Sequence, residues 1–130
     1  MATLSATLSL ASTDVSSDAL SLTAAVDLTV TDPFVGVSKI AATTTGNETI
    51  VLASHSSIRY LYIKHTGVDA SDSAVTTTLE VEIENGKSFA ELSPGEFLFV
   101  PVGQNSGSVL VQLEASGGTI VAEYAYFTKV

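Results

Sequence analysis

Cysteine and tryptophan are absent from this chain, and methionine occurs once. Without thiols there are no disulfides, no thiolate metal ligands and no cysteine nucleophile. Cations are nearly as scarce: five Lys and Arg stand against fourteen Asp and Glu, a formal charge of −9. The five (Lys39, Arg59, Lys64, Lys87, Lys129) are scattered, so no basic stripe exists to neutralise phosphates. The sequence therefore predicts no nucleic-acid partner and no anionic membrane surface, whereas a basic protein surface would suit its charge. No apolar run approaches the ~20 residues of a membrane-spanning helix. The opening MATLSATLSLAS lacks the positive flank and unbroken apolar core of a signal peptide, and it reads as neither leader nor anchor.

Catalytic signatures are missing as well. His55 and His65 form no HxH or HExxH pair, so zinc has no ligand set. There is no G-x-S-x-G, no phosphate-binding glycine loop and no dinucleotide fingerprint. Asp69 and Asp72 sit in a Ser-rich loop but lack the alternating carboxylates of a calcium loop. Glu80, Glu82 and Glu84 alternate along one strand, with neighbours roughly 7 Å apart. Paired catalytic carboxylates usually come from different strands, so these three read as a solvated face that blunts aggregation. Asn47-Glu48-Thr49 matches a glycosylation sequon, a pattern that arises often by chance. The expectation is a chain with no enzymatic activity, no metal and no other cofactor.

What the sequence has in plenty is period-two alternation. No window carries a 3.6-residue pattern, and about nine or ten short apolar-alternating segments are separated by Gly, Pro, Asn and Ser. The clearest stretch is residues 79–101, LEVEIENGKSFAELSPGEFLFVP. Leu79, Val81 and Ile83 alternate with glutamates, Asn85-Gly86 suits a two-residue hairpin turn, and Pro94-Gly95 suits the next turn. This stretch predicts an antiparallel meander of three strands. Further strands fall at residues 34–42, 48–53, 58–66, 109–113 and 120–127, with turn signals at Asp32-Pro33, Thr45-Gly46-Asn47, 103–107 and a hairpin turn at Gly117-Gly118.

Residues 4–10 alternate Leu4, Ala6, Leu8 and Leu10 with Ser and Thr, and predict an edge strand or an arm ordered by pairing with another sheet edge. A polar loop follows. From Leu20 to Val30 the alternation runs over more than ~30 Å if straight, with room for a bulge or hairpin at Ala24-Ala25. The organisation expected is an all-β, single-domain antiparallel β-sandwich, jelly-roll-like, over residues 18–130, preceded by an extended N-terminal arm or edge strand over residues 1–17.

Three strands are apolar on both faces: Tyr60 and Tyr62 opposite Leu61 and Ile63, Phe97 and Phe99 opposite Leu98 and Val100, and Tyr124 and Tyr126 opposite Ala125 and Phe127. A half-solvated sheet would read polar at alternate positions. Either loops of the same chain cover these strands, or other subunits do, and aromatic enrichment at interface cores suits the second alternative. The candidate partner-binding residues are Leu4, Leu8 and Leu10 of the arm with Tyr60, Tyr62, Phe97, Phe99, Tyr124 and Tyr126.

Several segments resemble a family of small virion structural proteins of tailed bacteriophages, especially those of cyanobacteria and other aquatic bacteria. The string RYLYIKHT at residues 59–66 is similar to the family's "YLYIKN" or "YIRITN", with His65 where Asn is commoner. LSPGEFLF at residues 92–99 carries the distinctive "L-x-P-G-E" plus aromatics. VAEYAYF at residues 121–127 resembles the closing "EY" strand, and residues 2–11 and 28–40 follow the same layout. The resemblance spans about three-quarters of the chain.

The resemblance implies a non-enzymatic late structural protein of the particle. The leading expectation is a capsid decoration or cement protein on the head exterior. It would be a homotrimer that bridges major capsid protein subunits, with residues 2–11 clamping neighbours by strand addition. The alternative is a tail or tail-fibre component contacting host surface glycans through Tyr60 and Tyr62.

Overall fold

The computed structural model describes residues 2–15, 17–30, 35–44, 49–52, 59–83, 87–102 and 110–128. The turn signals at Asp32-Pro33, Thr45-Gly46-Asn47, Asn85-Gly86 and 103–107, together with Phe34, His55, Glu84 and Val109, lie outside them. Ten strands appear among the described residues, with no helix. They are β1 (Ala2–Ser12), β2 (Leu20–Val30), β3 (Val35–Ala42), β4 (Thr49–Leu52) and β5 (Arg59–His65). The rest are β6 (Leu79–Ile83), β7 (Ser88–Leu92), β8 (Phe97–Val102), β9 (Val111–Ala115) and β10 (Ile120–Thr128).

Strands β3 to β10 form two four-stranded antiparallel sheets, ordered β3-β10-β5-β8 and β4-β9-β6-β7. The pairing is nested. β6 pairs with β7, β5 with β8, β4 with β9 and β3 with β10, as in one long ribbon folded at β6–β7. Rolling that ribbon adds the seams β10–β5 and β9–β6 and divides it between two sheets. This is the jelly-roll solution to protecting sheet edges.

The nesting revises two local expectations. β6 and β7 are a hairpin, but β8 joins the other sheet, so residues 79–101 are not a meander. Gly117-Gly118 likewise link β9 to β10 across sheets and make no hairpin. A turn signal fixes where a strand ends, and partner choice depends on which residues the fold buries.

Period-two alternation supplies the core. Leu61, Ile63, Ile120 and Ala122 face inward from one sheet, and Leu79, Val81, Leu113 and Val111 from the other, all 0–2% exposed. β1 and β2 stand apart. They pair with each other in unbroken register from Ala2↔Val30 to Ser12↔Leu20 and with no other strand among the described residues. The ribbon passes Ala24 and Ala25 without bulge or turn.

Candidate functional site

The hairpin's register sorts its side chains. Even-numbered positions of β1 face even-numbered positions of β2, giving the pairs Leu4↔Leu28, Ala6↔Val26, Leu8↔Ala24 and Leu10↔Leu22 on one face. The opposite face is Ser, Thr and Ala plus Asp27, whose carboxylate accepts a 2.6 Å bond from the Ser5 hydroxyl. The tip is tied locally, because the Ser12 hydroxyl donates to Asp14 and accepts from the Asp14 and Val15 amides.

The apolar face is therefore about 37 Å long and about 10 Å wide, roughly 360 Å². Much of it is open: Leu8 and Leu10 are each 46% exposed, Leu22 45% and Val26 53%. Covering it would contribute about 9 kcal/mol before association costs. An isolated two-stranded hairpin is marginal in water, and an exposed apolar patch of about 360 Å² is of the size of the largest patch on a typical monomer, which is often functional.

Beneath this face lies the outer surface of the sheet β3-β10-β5-β8. Three rows cross it. Lys39, Glu123, Lys64 and Phe97 stand side by side in the first, so opposite charges alternate across the strands. Ala125, Tyr62 and Phe99 form the second, and Phe127, Tyr60 and Pro101 the third. The aromatics pair diagonally. Tyr60 stacks on Phe99 with centroids 5.9 Å apart and planes at 9°, and Tyr62 tilts against Phe97 at 6.5 Å. Such pairs contribute about 0.5–1.5 kcal/mol beyond their buried area. Burial pushes the Tyr62 hydroxyl above its usual pKa, assisted by the negative charge of Glu123 and a hydrogen bond to it.

Between hairpin and sheet runs an open groove of about 730 Å³. Leu4, Leu8 and Leu10 line it from β1, Ala24 and Val26 from β2, and Val37, Tyr62, Phe97, Phe99 and Phe127 from the sheet. None of its lining residues is charged.

Of the nine residues singled out from sequence, six meet here: Leu4, Leu8, Leu10, Tyr62, Phe97 and Phe99. Tyr60 is on the same sheet face but is only 6% exposed. Tyr124 and Tyr126 face the other way, in register with Ile63 and Leu61, and pack half-buried against the core. Their outward neighbours Ala125 and Phe127 join the groove instead, together with Val37 and Val26. Parity along β10 groups Ala122 with Tyr124 and Tyr126, but which parity faces the core is set by the register with Leu61 and Ile63 of β5.

The other sheet's outer face is acidic. Glu80 sits directly opposite Glu91 on one side and Glu114 on the other. The expected solvated row fails at Glu82, which is 3% exposed. β6 is an inner strand, so Glu82 is flanked by Ser88 of β7 and by Gln112 of β9, itself 5% exposed.

His65 and the S-P-G-E turn form a structural junction. Leu61, Ile63 and His65 share the inward face, and His65 is fully buried. Its Nδ1 accepts from the Gly67 amide at 2.9 Å, so Nε2 carries the proton and donates to the Thr77 carbonyl at 3.0 Å. Its backbone pairs with Gly95 and Glu96. Pro94 and Gly95 occupy the centre of a type II turn, with Gly95 at φ +88° and the Glu96 amide donating to the Ser93 carbonyl. The Glu96 carboxylate then accepts from the Ser93 amide at 2.7 Å. Asp69 is likewise committed, its carboxylate accepting from the Ser71 and Ser73 amides. Among the described residues no group of three or more His, Cys, Asp or Glu could hold a metal ion. Neither the protein-family models nor the curated proteins give a match to this chain.

Proposed function

We propose that this protein is a non-enzymatic structural component of a tailed-phage virion, a decoration protein that cements the head exterior by bridging major capsid protein subunits, as a homotrimer. One observation carries the reading: a two-stranded ribbon of 11-residue strands whose apolar face is open to a partner toward its tip, at Leu8, Leu10, Leu20, Leu22 and Val26. Its outer backbone edges are unpaired among the described residues, so a strand of a capsid subunit can add to either edge while its side chains cover the leucines. A ribbon about 37 Å long reaches across a subunit boundary. The jelly-roll body then stands off the shell, and the glutamates Glu80, Glu91 and Glu114 keep its far face hydrated. A glycan-binding tail component has less support, because Tyr60, stacked on Phe99, is only 6% exposed.

The test adds purified protein to undecorated capsids and measures co-sedimentation. A variant lacking residues 2–28, which keeps the buried Val30, should fold as the eight-stranded body and lose capsid binding. Binding at wild-type strength would overturn the clamp. Quantified gel bands of purified virions check the location independently: a cement protein is present in hundreds of copies, and a count in the tens or below would overturn it.

A further inference from the structure

The hairpin arches over its own sheet without closing on it, and both surfaces facing the groove are apolar. We propose that the groove is closed between copies: the leucine face of one copy's hairpin packs on the aromatic outer sheet face of a second copy, which returns or passes on its own hairpin.

Three observations select a second copy as the occupant. The first is charge. At a net charge of −9, two copies repel except where their contact carries none. The residues lining the groove are uncharged, and the charged row beside them on the sheet, Lys39, Glu123 and Lys64, carries both signs, whereas the opposite sheet face is lined by Glu80, Glu91 and Glu114. The second is extent. A small apolar ligand in the groove would leave Leu20 and Leu22, 39% and 45% exposed and not among its lining, uncovered. Such sites also carry a few convergent polar groups that fix a ligand's orientation, and here only hydroxyls are available. The third is area. One hairpin face of roughly 360 Å² removes about 700 Å² from both partners, within the range of non-specific packing. When each copy both gives and receives a hairpin, a dimer buries about 1,400 Å², inside the standard range of stable complexes. The contact joins two different patches, so it closes as a reciprocal pair or as a ring.

This inference deepens the self-association part of the proposal above and needs no capsid. The absence of cysteine makes it directly testable. Leu8→Cys and Phe97→Cys each alter an exposed groove residue, 46% and 62% exposed, and should melt like the wild type. The two single variants are purified, mixed and oxidised at micromolar concentration. The expected result is a disulfide-linked heterodimer in the mixture, well above the homodimer formed by either variant alone. Leu8→Asp should weaken wild-type association roughly tenfold or more, because the contact would bury an unpaired carboxylate.

Light scattering on the wild type separates the failures. An oligomer without selective cross-linking would overturn the hairpin-on-sheet contact and leave self-association standing. A strict monomer would overturn both, with capsid co-sedimentation still deciding the cement reading.

Discussion

Replacing His65 with leucine tests whether the buried imidazole holds the 66–78 segment to the body. Leucine keeps the apolar bulk but removes the acceptor for the Gly67 amide and the donor for the Thr77 carbonyl. Both are backbone groups of half-buried residues, and an unsatisfied buried polar group costs about 1–3 kcal/mol. Some of that is recovered, because leucine has no polar atoms to desolvate, so the net loss should be about 2–4 kcal/mol. For a domain of this size 1 kcal/mol moves Tm by roughly 3–5 °C, which places the variant about 10 °C below the wild type. Thermal and urea melts followed by circular dichroism measure it.

Hydrogen exchange adds a local readout, since the Gly67 amide should lose protection before the core amides of β5 and β10. His65→Asn sharpens the comparison. Its carbonyl can still accept from the Gly67 amide two residues on, but it is too short to reach Thr77, so it should lose about half as much. A leucine variant melting within about 2 °C of the wild type would refute the reasoning, as would equal losses for leucine and asparagine.

Three further outcomes are expected. Tyr62 has its pKa raised above 10.0 in the folded state by burial and by Glu123. Its contribution to stability is therefore complete below pH 10 and lost as pH rises through the folded value. Alkaline urea melts should show a shallower loss for Tyr62→Phe, and the phenolate absorbance should titrate earlier in Glu123→Gln. Gly95→Ala puts a Cβ at φ +88° with no atom within 4 Å, so backbone strain alone should cost about 1–2 kcal/mol by urea titration. Glu80→Lys replaces two directly opposed like-charge pairs with attractive ones and should stabilise by about 0.5–1 kcal/mol at low salt, a gain that fades as salt is added.

Nearly all strands were legible in the sequence, because alternation and turn residues are local properties. The run from Leu20 to Val30 and the segment ending at Pro94-Gly95 mark their own limits. Of the pairings in the body, only that of β6 with β7 was legible, from the turn dipeptide between them. Nothing near Phe97 announces that its strand leaves β7 for β5, since that choice follows from burying Leu98 and Val100 against the opposite sheet. The arm was readable as a strand, whereas its partner was not: Leu4 pairs with Leu28 of its own chain.

His65 carried a readable signal, falling in the same i, i+2 series as Leu61 and Ile63. Glu82 carried none, because its burial comes from neighbours on β7 and β9. The groove was half visible. Its residues were apolar on the wrong parity for a core, but which of Tyr124 and Ala125 faced outward depended on the register with β5.

The nested pairing also dictates the order in which this body can be completed. β6 and β7 are neighbours in sequence and can zip first at small loop-closure cost. Each outer pair then spans a longer loop, and β3 meets β10 last. A topology of this kind folds slowly for its size. During synthesis β3 has no partner until nearly the whole body has emerged, while the leucine ribbon ahead of it is already exposed. A net charge of −9 makes unfinished copies repel one another, which opposes aggregation through the exposed ribbons during that interval.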